Sequence, residues 1–201
     1  AETLAGKAKT EFEERIKKSL VYLNVTSNGY QNTQPWKLSR VRERTGHGCA
    51  VGPYKVITTA WNVRNATFIK ARCYGQNEFI PAKAEVIDYE SNLCLLTLDS
   101  EAMDKPLVPV RFSEDFEENA EVFSYWLVGG STLKKGRGIL DRAEVNISTM
   151  SYAKFLDYVV ANAPTSTGKG TLYCNGEKAV GISNWTDTDA TEAGLIPGII
   201  I

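Results

Sequence analysis

Residues 46–63 read GHGCAVGPYKVITTAWNV, and this stretch decides the fold. Two apolar runs, CAV (49–51) and KVITTAW (55–61), flank a Gly52-Pro53 turn. β-Branched side chains favour extended backbone, and the Gly-Pro pair reverses the chain, so the stretch predicts two consecutive strands. The pattern continues outward on both sides. LVYLNVT (20–26) comes before it; ATFIKARCY (66–74), EFIPAKAEVID (78–88), LCLLTL (93–98) and LVPVRF (107–112) come after. EVFSYWLV (121–128), GILDRAEVNIST (138–149), TLYC (171–174), KAVGIS (178–183) and LIPGIII (195–201) complete the series. Gly75-Gln76-Asn77, Gly129-Gly130, Gly136 and Asn175-Gly176 punctuate them. About a dozen short strands without helices between them predict a closed or sandwiched all-β architecture and exclude a βαβ fold.

One helix precedes the strands. Thr10 and Glu13 have capping-box spacing, and Phe12, Ile16 and Leu20 recur every four residues as an apolar stripe. Glu11, Glu13 and Glu14 lie ahead of Arg15, Lys17 and Lys18, the order the helix dipole favours. SEAMDKP (100–106) reads as a linker with about six strands on each side, dividing the chain into 1–100 and 101–201. Residues 151–159 carry a weak pattern that fits a second helix or a strand plus loop.

Bulk properties exclude several classes. With 201 residues and a net charge of −1, the chain can bury a full core and offers no global attraction to nucleic acid. No apolar run is long enough to span a bilayer, and the N-terminus lacks a basic-then-apolar signal pattern. Four dispersed cysteines and a single histidine argue against a metal site, and nothing implies a cofactor. Cys49 and Cys94 lie in apolar runs and read as reduced, buried small hydrophobes, with a Cys49–Cys94 bridge as the alternative. Sequons begin at Asn24, Asn65, Asn146 and Asn184, of which chance supplies one or two.

From about Glu13 onward, the segments FEERIKKSLVYLNVTS, GHGCAVGPYKVITTAWNV, PAKAEVIDYESNLCLLTLD and GKGTLYCNGEKAVGISN come in an order that resembles the trypsin-like serine proteases of the HtrA/Deg branch. The resemblance implies two six-stranded antiparallel β-barrels behind a short helix, the first within 1–100 and the second within 101–201. It places Trp61 where the general base would stand, Asn92 at its carboxylate partner and Gly168 at the nucleophile, spaced by 31 and 76 residues. Indole donates only, so it accepts no proton from a hydroxyl. Asn92 carries no charge to steady an imidazolium, and Gly168 has no side chain. Pro164-Thr165-Ser166-Thr167 stands where the glycine-rich oxyanion turn would be, and Lys169 replaces a glycine. The expectation is a pseudoprotease: a retained scaffold without the triad, whose Trp61 ring fills the old cleft.

Two alternatives remain at this point. One is an active hydrolase with a relocated nucleophile, Ser166, served by Lys169 or His47. His47, in the G-x-G segment, is expected near the nucleophile turn as a strand-edge or surface residue, and Lys169 is expected to be solvated. The other is a binding module for an anionic ligand, using Arg40, Arg42 and Arg44 along one strand face with Lys37 nearby. Trp36 is expected to pin its polar loop, and Trp126 and Trp185 to fill core or cleft. Partners would be proteins or peptides, not nucleic acid. The resemblance further implies a trimer in related proteins, a PDZ domain following in many of them, and an extracytoplasmic (periplasmic or secreted) location.

Overall fold

A computed structural model of the chain describes residues 2–29, 33–34, 36–37, 40–113, 117–147, 155–164, 169–184 and 192–195. After helix α1 (Glu2–Lys17) come β1 (Leu20–Ser27), β2 (Arg42–Gly52) and β3 (Lys55–Thr59). A four-residue helix α2 (Ala60–Val63) leads to β4 (Ala66–Cys73), β5 (Ile80–Asp88) and β6 (Leu93–Leu98). These six strands close into an antiparallel barrel in the order β1-β2-β3-β6-β5-β4, with β4 paired back onto β1. Closure follows from alternation. In β1 the side chains of Leu23 and Val25 turn inward against Val56, Ile69, Ala71 and Leu96, while the intervening residues stay partly exposed.

The second half contains β7 (Glu121–Val128), β8 (Thr132–Ile147), β9 (Phe155–Asn162), β10 (Leu172–Asn175), β11 (Lys178–Ile182) and β12 (Glu192–Leu195). These strands form one six-stranded antiparallel sheet in the order β11-β10-β7-β8-β9-β12. Among the described residues it is open rather than a second closed barrel, because no ladder joins β11 to β12. The ambiguous stretch at 151–159 resolves in favour of strand from Phe155 onward.

A shared core joins the halves: Leu20, Cys49, Ile57 and Leu93 of the barrel pack with Tyr125, Leu127, Leu172 and Ile182 of the sheet. Helix α1 covers this seam. It begins eight residues before the expected cap, so Thr10 lies inside it rather than at its start. Phe12 and Ile16 share one buried face, and Phe12 meets Tyr125 edge-on at 6.2 Å between ring centres. Leu20, the expected third member of the stripe, is buried from β1 instead. Lys135 of β8 reaches Glu13 at 2.8 Å. The expected LVPVRF strand is a strap, not a ladder member. Its amides bond in turn to Pro53, Lys18 and Ala50 on the barrel side, and Ser113 bonds to Ala179 on the sheet side.

All four cysteines are reduced and buried, so the Cys49–Cys94 bridge does not form. Burial pushes the Cys49 and Cys94 thiols up to about 12, leaving them as packing groups. Trp36 does not pin its loop: its side chain is 81% exposed.

Candidate functional site

A four-residue helix cannot hold itself, since nucleation costs more than one turn of hydrogen bonds returns. Helix α2 is held by its neighbours. Thr59 gives it no side-chain cap. Instead the main-chain amide of Trp61 donates to Asn92 Oδ1 at 2.9 Å, and that of Ala60 donates to the Asn92 carbonyl at 3.0 Å. At the other end Arg44 donates to the Trp61 carbonyl at 3.0 Å and to the carbonyl of Arg64. Asn92 is fully buried at φ 57°, a left-handed conformation that asparagine tolerates better than most residues. Because Trp61 N–H must meet the oxygen of its amide, its Nδ2 faces Asn184, to whose Oδ1 it donates.

The turn bearing Lys169 arrives from the other half. His47 N donates to the Lys169 carbonyl at 2.8 Å, and Asn62 Nδ2 donates to the same oxygen at 3.0 Å. Asn62 also donates to Thr58 Oγ1 at 3.0 Å, tying the turn to α2 and β3 at once. The Lys169 ammonium lies 4.7 Å from the centre of the Trp61 ring and 3.4 Å from the Asn184 carbonyl. Burial lowers its pKa, because half-desolvated ammonium is costly. Trp61, Asn92 and the Lys169 turn therefore converge on one place. Gly168 and Ser166, next to Lys169 in sequence, lie outside the described residues, as does Trp185.

Several expectations change. Trp61 is 37% exposed, so it lines the site and does not fill it as core. Lys169 is half-buried, not solvated. His47 does run beside the expected turn, yet it is buried rather than at a strand edge or the surface. A side chain at Gly46 would meet Asn62; by strand alternation His47 points the other way, where its ring packs 5.9 Å from Tyr22. Its imidazole thus leaves β2 on the face opposite the one that meets Asn62 of α2. Of the basic residues, Arg44 is committed to the carbonyls of α2, Arg42 is exposed at the start of β2, and Lys37 and Arg40 are exposed ahead of it. Thr58, Asn62 and Arg64 carry no signal in the sequence beyond their position in or directly after ITTAWNV, and Asn184 stands out there only as the start of a sequon.

Burial also holds the His47 imidazole down from 6.5 to about 4. The unfolded chain takes up a proton near 6.5 that the folded chain refuses, so acid favours unfolding. Stability from this group is full above pH 6.5, falls as pH drops, and levels off below about 4. The chain has one histidine, so the slope between pH 6.5 and about pH 5 reports His47 almost alone. Urea midpoints measured across that window should fall; a flat profile would contradict the burial.

No protein-family model matches the chain. It is 24% identical over 167 residues to the putative protease Do-like 3, mitochondrial, of Arabidopsis thaliana, covering 82% of this chain and 30% of the relative. Putative protease Do-like 11, mitochondrial, of the same plant is 27% identical over 173 residues, with 85% and 30% covered. Protease Do-like 2, chloroplastic, also from Arabidopsis thaliana, is 29% identical over 127 residues, with 62% and 20% covered. The chain thus spans about a third or less of the length of these relatives. Their names place them in organelles, not in the periplasm. Among solved structures, the active form of the Rv3671c protease from M. tuberculosis superposes with a TM-score of 0.73 at 15% identity, covering 92% of this chain and 78% of that one. Its inactive form gives 0.70 at 14% identity, with 94% and 88% covered. Among the described residues, no helix is long and apolar enough to cross a membrane. The chain is similar in sequence to the Do-like (HtrA/Deg-like) proteases and shares the fold of a trypsin-like protease.

Proposed function

We propose that the chain is a catalytically silent Deg-like protease domain, a pseudoprotease kept for binding, scaffolding or regulation. One observation carries this reading: where a base and its carboxylate would meet, an indole main chain meets the amide of a buried asparagine. The chain's only histidine sends its ring off the face of β2 opposite the one that meets Asn62. An indole takes no proton from a hydroxyl, and an amide does not balance the charge that such a proton would create on a base. The second sheet, on this reading, is the second barrel of the protease scaffold. The location we propose follows the relatives, an organelle in place of the periplasm or secretion.

Incubation with a fluorophosphonate probe should leave the native chain unlabelled, and a labelled casein substrate should stay intact. Covalent modification of Ser166 would sink this reading and favour the hydrolase in which Lys169 or His47 serves that serine.

A further inference from the structure

Helix α2 concentrates positive charge around an exposed aromatic ring. The Arg64 guanidinium stands 6.0 Å and the Lys169 ammonium 4.7 Å from the centre of the Trp61 ring. Arg42 and Arg44 share the face of β2 turned towards α2, the face on which Gly46 meets Asn62. Arg44 feels both neighbours: burial lowers its pKa first, and the charges of Arg64 and Arg42 lower it further. Such crowding of like charges costs folding free energy unless an anion offsets it.

Among the described residues, no ion pair offsets it at Arg42, Arg44 or Arg64. The five ion pairs among the described residues engage Lys17, Lys55, Lys135, Arg137 and Arg142 instead. Glu43, between Arg42 and Arg44, belongs to the other face of the strand. Asp88, the last residue of β5 before the turn to Asn92, is occupied by the Ser91 hydroxyl and the amides of Glu90 and Ser91. Meanwhile Trp61 is 37% exposed, and its indole is a flat apolar platform flanked by the cations.

We propose that Trp61, Arg64 and Arg42 form a docking site for an acidic polypeptide segment. Glutamate or aspartate carboxylates meet the guanidinium groups, and an apolar residue of the segment lies on the indole. Arg44 is scaffold, holding α2 by its carbonyls. Charge complementarity favours a peptide over a nucleic acid. The cations are few and local, whereas a chain of net charge −1 has no extended positive field to follow a phosphate backbone. This inference rests on the reading of the chain as a non-catalytic binding domain and names what it binds.

The test is fluorescence anisotropy with the whole chain and a short fluorescein-labelled peptide rich in Glu and Leu. The control replaces every Glu with Gln, and a single-stranded DNA oligonucleotide of equal charge is the competitor. The acidic peptide should bind in a salt-sensitive way and the Gln peptide should not. Arg64→Ala should weaken binding about tenfold, Arg64→Lys should restore most of it, and Trp61→Phe should retain it. Equal binding of the two peptides, no effect of Arg64→Ala, or tighter binding of the DNA would each overturn the site. Mass spectrometry of the peptide after titration separates the two claims. Cleavage would refute catalytic silence and leave the comparison of affinities intact.

Discussion

Asn92→Ala is expected to destabilise the protein by about 3–4 kcal/mol, far beyond what truncating a single polar side chain at the surface would do. Three losses combine. The Trp61 amide loses its acceptor 2.9 Å away, and Asn184 Oδ1 loses the donor it faces at full burial. Each orphaned group costs about 1–1.5 kcal/mol, the lower part of the usual range because the Trp61 amide is only partly buried. Alanine must also adopt the left-handed backbone at φ 57°, at a further cost of about 1 kcal/mol. Asn92→Gly separates the contributions, since it relieves the backbone strain and keeps both orphans. It should recover about 1 kcal/mol and no more. Urea unfolding of the three proteins gives the ordering. An alanine variant within about 1 kcal/mol of the parent would show that α2 does not depend on Asn92.

Gly170→Ala should cost about 3 kcal/mol or more, for a different reason. At φ 91° the residue lies in the left-handed region, and an added methyl would overlap the carbonyl oxygen of His47. That oxygen belongs to the backbone of β2 and accepts from Thr58 Oγ1 at 2.7 Å, so it cannot move aside without disturbing the barrel. The turn is pinned as well, by the bonds from His47 and Asn62 to the Lys169 carbonyl and from Gly170 N to the Ser183 carbonyl at 2.9 Å. Gly75→Ala is the matched control: φ is 82°, yet nothing lies within 4 Å of the added carbon. It should lose only about 1 kcal/mol from backbone strain. A Gly170 variant no worse than the Gly75 variant in thermal melts would mean that the turn and β2 are not locked together.

The barrel was legible because a period of two written in β-branched residues has few other physical outcomes. LVYLNVT, KVITTAW and LCLLTL each appear where the pattern places them, although KVITTAW gives up its last two residues to α2. That boundary is invisible locally: the turn exists only because Asn92 and Arg44, distant in sequence, take up its amides and its carbonyls. The helix start failed for a related reason. Thr10 and Glu13 have capping-box spacing, yet the residues before them continue the helix and leave no end to cap. The placement of Trp61 beside Asn92 followed from the order of the segments. Exposure did not, because whether a ring fills a cleft or lines it depends on what stands opposite. Here that is the half-buried ammonium of Lys169. The coupling of Thr58, Asn62 and Asn184 was likewise out of reach, since an isolated asparagine or threonine in a sequence gives no hint of its partner.

The clamp on residue 61 takes hold of its peptide groups: its N–H by Asn92 and its C=O by Arg44. Nothing in that grip reads the side chain. Any residue tolerant of helical backbone could stand there without altering the clamp, so these hydrogen bonds impose no penalty on exchanging one ring for another. The chemistry of the position and the integrity of the architecture are therefore under separate control. A lineage could discard a reactive group here in a single substitution and inherit an intact protein, with the vacated surface open to selection for whatever settles on it next.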